Sequence, residues 1–126
     1  MKWIATIIKV GQKAWVSDQE MVLLFGKAVP QDLVNVSVIQ EFTNDSLLSS
    51  FVLQKGDTVT VAGQTYKATF VGEMVRRNMK YLGHLTLIFT VKMPSKPLAD
   101  AVYLDCVGGQ PRPAFNLGDV ISYEHI

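Results

Sequence analysis

The chain of 126 residues predicts an all-β fold, a small closed or half-closed barrel of about eight short strands with one short helix. Three observations carry that reading. Short runs of β-branched, aromatic and aliphatic residues are separated throughout by Gly, Pro, Asn and Asp clusters. Helical spacing of apolar residues appears over residues 73–82 alone. Strands and helices do not alternate along the chain, which removes a doubly wound α/β sheet.

The elements follow in order. Residues 2–10 are rich in aromatic and β-branched side chains and read as the first strand. Residues 11–20 are polar around Trp15 and read as a loop; of Trp3 and Trp15, one suits the core and the other a surface anchor. Met21 to Phe25 form a short strand broken by Gly26. Pro30-Gln31-Asp32-Leu33 suit a turn or one helical turn after the proline. Residues 34–42 read as a strand, because Val34, Val36 and Val38 alternate with Asn35 and Ser37. Ile39 breaks the polar row and predicts burial on both sides there. Residues 43–46 suit a turn. Residues 58–61 and 65–71 form a hairpin around Ala62-Gly63-Gln64. The helix over 73–82 should stop at Gly83 with a left-handed cap and must dock on the sheet, since ten residues are marginal alone. Residues 85–91, 101–107 and 119–125 complete the strands, with loops around Pro94 and Pro97 and over 108–113. One internal echo stands out: Leu53-Gln54-Lys55-Gly56-Asp57-Thr58-Val59 is matched by Phe115-Asn116-Leu117-Gly118-Asp119-Val120-Ile121. Each places a Gly-Asp turn before a strand, as barrel corners do.

Size and composition bound the function. A chain of this length suits one domain over residues 1–126. The hydrophobic fraction of 48% argues against disorder. Twelve basic residues against eleven acidic ones leave a net charge of +1, poorly suited to nucleic-acid binding. No apolar run approaches the roughly 20 residues of a membrane helix. Residues 1–9 are a poor signal peptide, with Thr6 inside a short apolar run and no small-residue cleavage pattern. A cytoplasmic location is the expectation, and a lone cysteine, Cys106, fits a reducing compartment.

Few residues suit chemistry. There are two histidines, and with one cysteine they make no metal signature; no bound cofactor is expected. His125 lies beside the C-terminal residue, where order is least assured. His84 lies between a helix stop and a strand start. One ring nitrogen can be held by a backbone carbonyl there while the other serves as a nucleophile, or the ring can cap and pack locally. Cys106 suits a buried, inert thiol. Asp57, Asp100, Asp105 and Asp119 suit turns, and no spacing marks an acid–base pair among them. Arg76, Arg77 and Lys80 share a helix face that suits phosphate or an acidic partner, or simple solvation.

Several segments carry a family resemblance. Val71-Gly72-Glu73, a variable helix, and then Leu82-Gly83-His84-Leu85-Thr86-Leu87-Ile88-Phe89 resemble the glucitol/sorbitol-specific IIA component of the bacterial sugar phosphotransferase system. Val29-Pro30-Gln31-Asp32-Leu33 and Gly118-Asp119-Val120-Ile121 fit the same family. The resemblance implies an all-β barrel and a phosphocarrier role. Such a protein accepts a phosphoryl group on histidine from the histidine-bearing phosphocarrier protein and passes it to the IIB part of a IIB/IIC permease. By the same resemblance, the family's phosphorylated histidine matches Gln40 here, and a second family histidine matches Phe42. Glutamine has no nucleophilic nitrogen. The site residues implied are therefore His84 and Gln40 at the reacting position, with Arg76 and Arg77 toward the phosphate. Three readings stay open: a carrier using His84, a phosphorylation-inactive IIA relative that binds or regulates, and a barrel that shares only the fold. Homo-oligomers are possible under any of them.

Overall fold

The computed structural model describes residues 1–14, 20–43, 45–105 and 112–126, and of residues 45–47 the backbone alone. Trp15, Cys106 and most of the expected loop over 108–113 lie outside the described residues. Eight strands form one closed barrel: β1 (Lys2–Val10), β2 (Met21–Phe25), β3 (Ser37–Phe42), β4 (Thr58–Val61), β5 (Gln64–Val71), β6 (Leu85–Phe89), β7 (Ala101–Asp105) and β8 (Val120–Glu124). Around the barrel they run β1-β3-β2-β6-β7-β5-β4-β8. Closure leaves no unpaired strand edge. One α-helix, α1 (Val75–Leu82), lies between β5 and β6. No helix among the described residues is long and apolar enough to cross a membrane.

The barrel is built twice from one plan. In the first half β1 pairs antiparallel with β3 and β2 runs parallel to β3; in the second, β5 pairs antiparallel with β7 and β6 runs parallel to β7. Both antiparallel ladders slip at the equivalent place, between Ile7 and Lys9 and between Ala68 and Phe70. The Gly-Asp echo marks the repeat. Gly56 N–H donates to Ala68 O and Ala68 N–H to Asp57 O; Gly118 N–H donates to Ile7 O and Ile7 N–H to Asp119 O. Asp57 and Asp119 each accept from the amide three residues earlier, at Gln54 and Asn116. The halves meet in two self-matching pairs, β2 with β6 about Leu23 and Thr86, and β4 with β8 about Thr60 and Ser122. The registers define a pseudo-twofold axis.

Side chains alternate in and out along each strand, so β1 sends Trp3, Ala5 and Ile7 inward and β8 sends Ile121 and Tyr123. Aromatic rings fill the interior. Phe51 lies 4.9 Å from Trp3 and 5.6 Å from Tyr123, and Phe89 lies 5.0 Å from Tyr66. Each large apolar side chain buried this way contributes about 1.5–3 kcal/mol.

Four elements differ from expectation. β3 starts at Ser37, and Gln31–Val36 form a 3-10 turn instead of its first half. Pro30, at φ −58°, leads into that turn, and the Ser37 hydroxyl donates to Leu33 O at 2.6 Å to close it. The Val34–Val36 alternation is not a sheet face. The helix begins at Val75, with Gly72 and Met74 committed to backbone bonds with Ala101 O and Ala99 O. β6 ends at Phe89 and β8 at Glu124. The hairpin turn is as expected, with Ala62 at φ 49° and Gly63 at φ 86°, the paired positive angles of a two-residue turn that matches strand twist.

Candidate functional site

Gln40 lies on β3 on the same face as Val38 and Phe42, both members of the core. Its side chain is 1% exposed. Burying an amide is costly unless both ends are bonded, and both are. Its Nε2 donates to Gly83 O at 3.0 Å, and its Oε1 accepts from the Tyr123 hydroxyl at 2.7 Å. Burial pushes the Tyr123 phenol far above its ordinary value, while the Gln40 bond pulls the weaker way. The phenol is therefore a constant donor.

Gly83 is placed by the end of α1. It takes the left-handed conformation, φ 60° and ψ 28°, and caps the helix by donating its N–H to Met79 O. Its backbone packs against Gly26 at the end of β2. A Cβ on Gly83 would lie 3.0 Å from Gly26 Cα, and Gly26 N–H donates to Leu82 O at 2.9 Å. This close approach delivers His84 to β2.

The His84 ring is enclosed on three sides. Nδ1 donates to Leu24 O at 2.8 Å, and Nε2 faces Asp100 Oδ2 at 3.1 Å. The ring stacks on Phe25 with centroids 4.0 Å apart and planes 15° apart. The residue is 7% exposed. Thr86 donates to the same Asp100 oxygen at 3.4 Å. Both ring nitrogens thus face protein oxygens, and neither points into open solvent.

The structure brings Gln40 and His84 together through the Gly83–His84 peptide. It places Arg76 and Arg77 apart from them, on the outer face of α1. A cleft of about 260 Å³ opens at Gln40, walled by Gly26, Lys27, Glu41, Lys80 and Gly83. Lys27 is ion-paired with Glu41. A second cleft of about 390 Å³ lies against α1, lined by Glu73, Arg76, Arg77, Lys80 and Tyr81. Lys80 and Tyr81 border both. Arg76 and Arg77 are exposed and make no ion pair among the described residues. The same residues contain no cluster able to hold a metal ion.

Tyr123 is missed by the sequence reading, and Asp100 stands there only as one of four aspartates. The internal echo held the signal. Extending the repeat through the registers matches Gln40 with Leu104, His84 with Met21, Thr86 with Leu23, Asp100 with Val36 and Tyr123 with Val61. Every polar member of the network has an apolar mate in the other half. The polarity is one-sided and belongs to the site, not to the fold. His125, beside the C-terminal residue where order is least assured, is anchored, its Nδ1 2.7 Å from Asp57 Oδ2.

Comparison with known proteins follows the same geometry. The crystal structure of a PTS system IIA component from Enterococcus faecalis V583 superposes with a TM-score of 0.84 at 27% identity, covering 97% of this chain and 99% of that one. No curated protein matches the chain significantly. The family model described as PTS system glucitol/sorbitol-specific IIA component matches residues 2–122, from the first strand of the barrel to its last. A barrel of this plan, matched over nearly its whole length, makes the chain a member of the glucitol/sorbitol-specific IIA family of the PTS.

Proposed function

We propose that this chain is a IIA-type protein of the sugar phosphotransferase system that does not carry a phosphoryl group itself, and that it acts in the cytoplasm by binding or regulating other components of that system. One observation carries the reading. Position 40, where the family resemblance puts the phosphorylated histidine, holds a glutamine, and the neighbouring imidazole of His84 has both nitrogens engaged. A relay from the histidine-bearing phosphocarrier protein to a permease IIB domain through His84 would first have to break one of those bonds. Leaving a buried partner unmet costs about 1–3 kcal/mol. Arg76 and Arg77 then serve recognition of an anionic partner surface by α1, not phosphoryl stabilisation at a reacting nitrogen.

The test is phosphoryl labelling. The full chain is incubated with phosphoenolpyruvate, the first phosphotransferase enzyme and the histidine-bearing carrier protein. No acid-labile label is expected on the chain, while the carrier protein is labelled in the same tube. Label on the wild-type chain that disappears in His84→Ala would replace this reading with the carrier reading.

A further inference from the structure

Position 40 sits between a fixed donor and a fixed acceptor. The Tyr123 hydroxyl is fully buried and donates to Gln40 Oε1 at 2.7 Å; among the described residues this is its one hydrogen bond. Gly83 O accepts from Gln40 Nε2 at 3.0 Å. An amide fits this pair because its oxygen only accepts and its nitrogen only donates. An imidazole in the same place would face the same two groups. With its N–H turned to the Gly83 carbonyl, its bare nitrogen would be the acceptor for the buried hydroxyl. That nitrogen carries the lone pair that attacks phosphorus. We infer that the Tyr123 hydroxyl is a second element, separate from the glutamine, that withholds position 40 from phosphoryl transfer; the inference rests on the non-carrying reading above. Tyr123 is thus a positioning residue whose hydroxyl caps whatever acceptor position 40 presents.

The chemistry it blocks is the exchange between two imidazoles. A bond forms between the bare nitrogen at position 40 and phosphorus, and the P–N bond of the donor phosphohistidine breaks. Its electron pair returns to the donor ring. The two rings exchange roles, so the pair gains and loses no proton. With the hydroxyl in place, the attacking lone pair is already shared, and freeing it leaves a buried donor unmet.

The experiment compares Gln40→His with Gln40→His/Tyr123→Phe in the full chain. Each is exposed to phosphoramidate, a phosphoryl donor that needs no docking partner, and separately to the phosphorylated carrier protein. Label at residue 40 is followed by phosphorus NMR, with folding checked by the amide spectrum. The double variant is expected to label at least about tenfold faster than the single one, the factor that one buried, unmet hydroxyl sets. Equal rates, zero included, overturn the inference. So does a single variant that fails to fold when the double variant folds, because the hydroxyl would then exclude the ring instead of capping it. A measurement on the unaltered chain stands beside these. The Tyr123 hydroxyl proton is expected to exchange slowly with water and to show a through-space contact to the Gln40 amide protons; a fast-exchanging proton contradicts the proposal. Label at His84 is resolved as a separate phosphohistidine signal, and it bears on the preceding reading instead.

Discussion

Two imidazole–carboxylate pairs, His84 with Asp100 and His125 with Asp57, tie separate parts of the chain together. His84 joins β2, the start of β6 and the loop before β7. Its replacement by alanine removes a stacked ring and two hydrogen bonds and leaves a cavity against Phe25. His84→Ala is expected to lose about 2–4 kcal/mol of stability, read as a lower urea midpoint with an unchanged slope. A loss within about 0.5 kcal/mol would place the ring outside the packed structure. Asp57 titrates. Burial pushes its carboxyl up, but hydrogen bonds from His125, the Gln54 amide and the Ile126 amide outweigh burial and hold it below its ordinary value. Its stabilisation is therefore fully present above the unfolded carboxyl's value, about 4, and is lost as pH falls through the lower folded value. The sign follows because the unfolded chain binds the proton more readily. Asp57→Asn should flatten the fall of stability with acid below about pH 4. An identical acid profile in the two proteins would remove Asp57 from that role.

At the scale of elements, α1 couples the two clefts. Val75 and Met79 hold it to the barrel, while Arg76, Arg77 and Lys80 face outward. Arg76→Ala/Arg77→Ala should change stability by no more than about 0.5 kcal/mol, since neither side chain is buried or ion-paired among the described residues. Gly83→Ala is different. The residue needs φ 60° and lies against the Gly26 backbone, so the substitution adds strain at the cap and pushes His84 away from Leu24. About 1–3 kcal/mol of stability should be lost in thermal unfolding, against near-neutrality if the cap were loose. Most of this element is legible in the sequence, because Gly83 is a stop signal and the helical spacing precedes it. Its burial is less so. Met74, Tyr81 and Leu82 share the helical spacing, yet they stay exposed, and the buried stripe is the narrower Val75–Met79 pair. The helical turn after Pro30 is legible in the sequence, but its extension through Val36 is not. Three valines at period two mimic a strand, and the Ser37–Leu33 bond, which sequence cannot show, closes the longer turn.

At the scale of the whole molecule, the barrel class follows from many short strands and frequent turns, and those are local properties. The strand order is not local. The parallel pairs, β2 with β3 and β6 with β7, and the antiparallel joins of β2 with β6 and β4 with β8 bring together distant residues, and no single segment records them. The Gly-Asp echo was the one visible trace of the repeat, and its reach became clear only from the registers. The site was half legible for the same reason. Gln40 and His84 stand out by residue type, but Asp100 and Tyr123 act through positions that look like a turn aspartate and a core tyrosine. The repeat separates them, since their mates Val36 and Val61 carry no polar group.

The central claim is that the chain keeps a IIA barrel with no imidazole nitrogen free at the cleft. Heteronuclear NMR of the His84 ring reads this most directly. The Nδ1 proton is predicted to show a hydrogen-bonded shift and to exchange slowly with water, held by Leu24 O. A fast-exchanging Nδ1 proton would contradict the account.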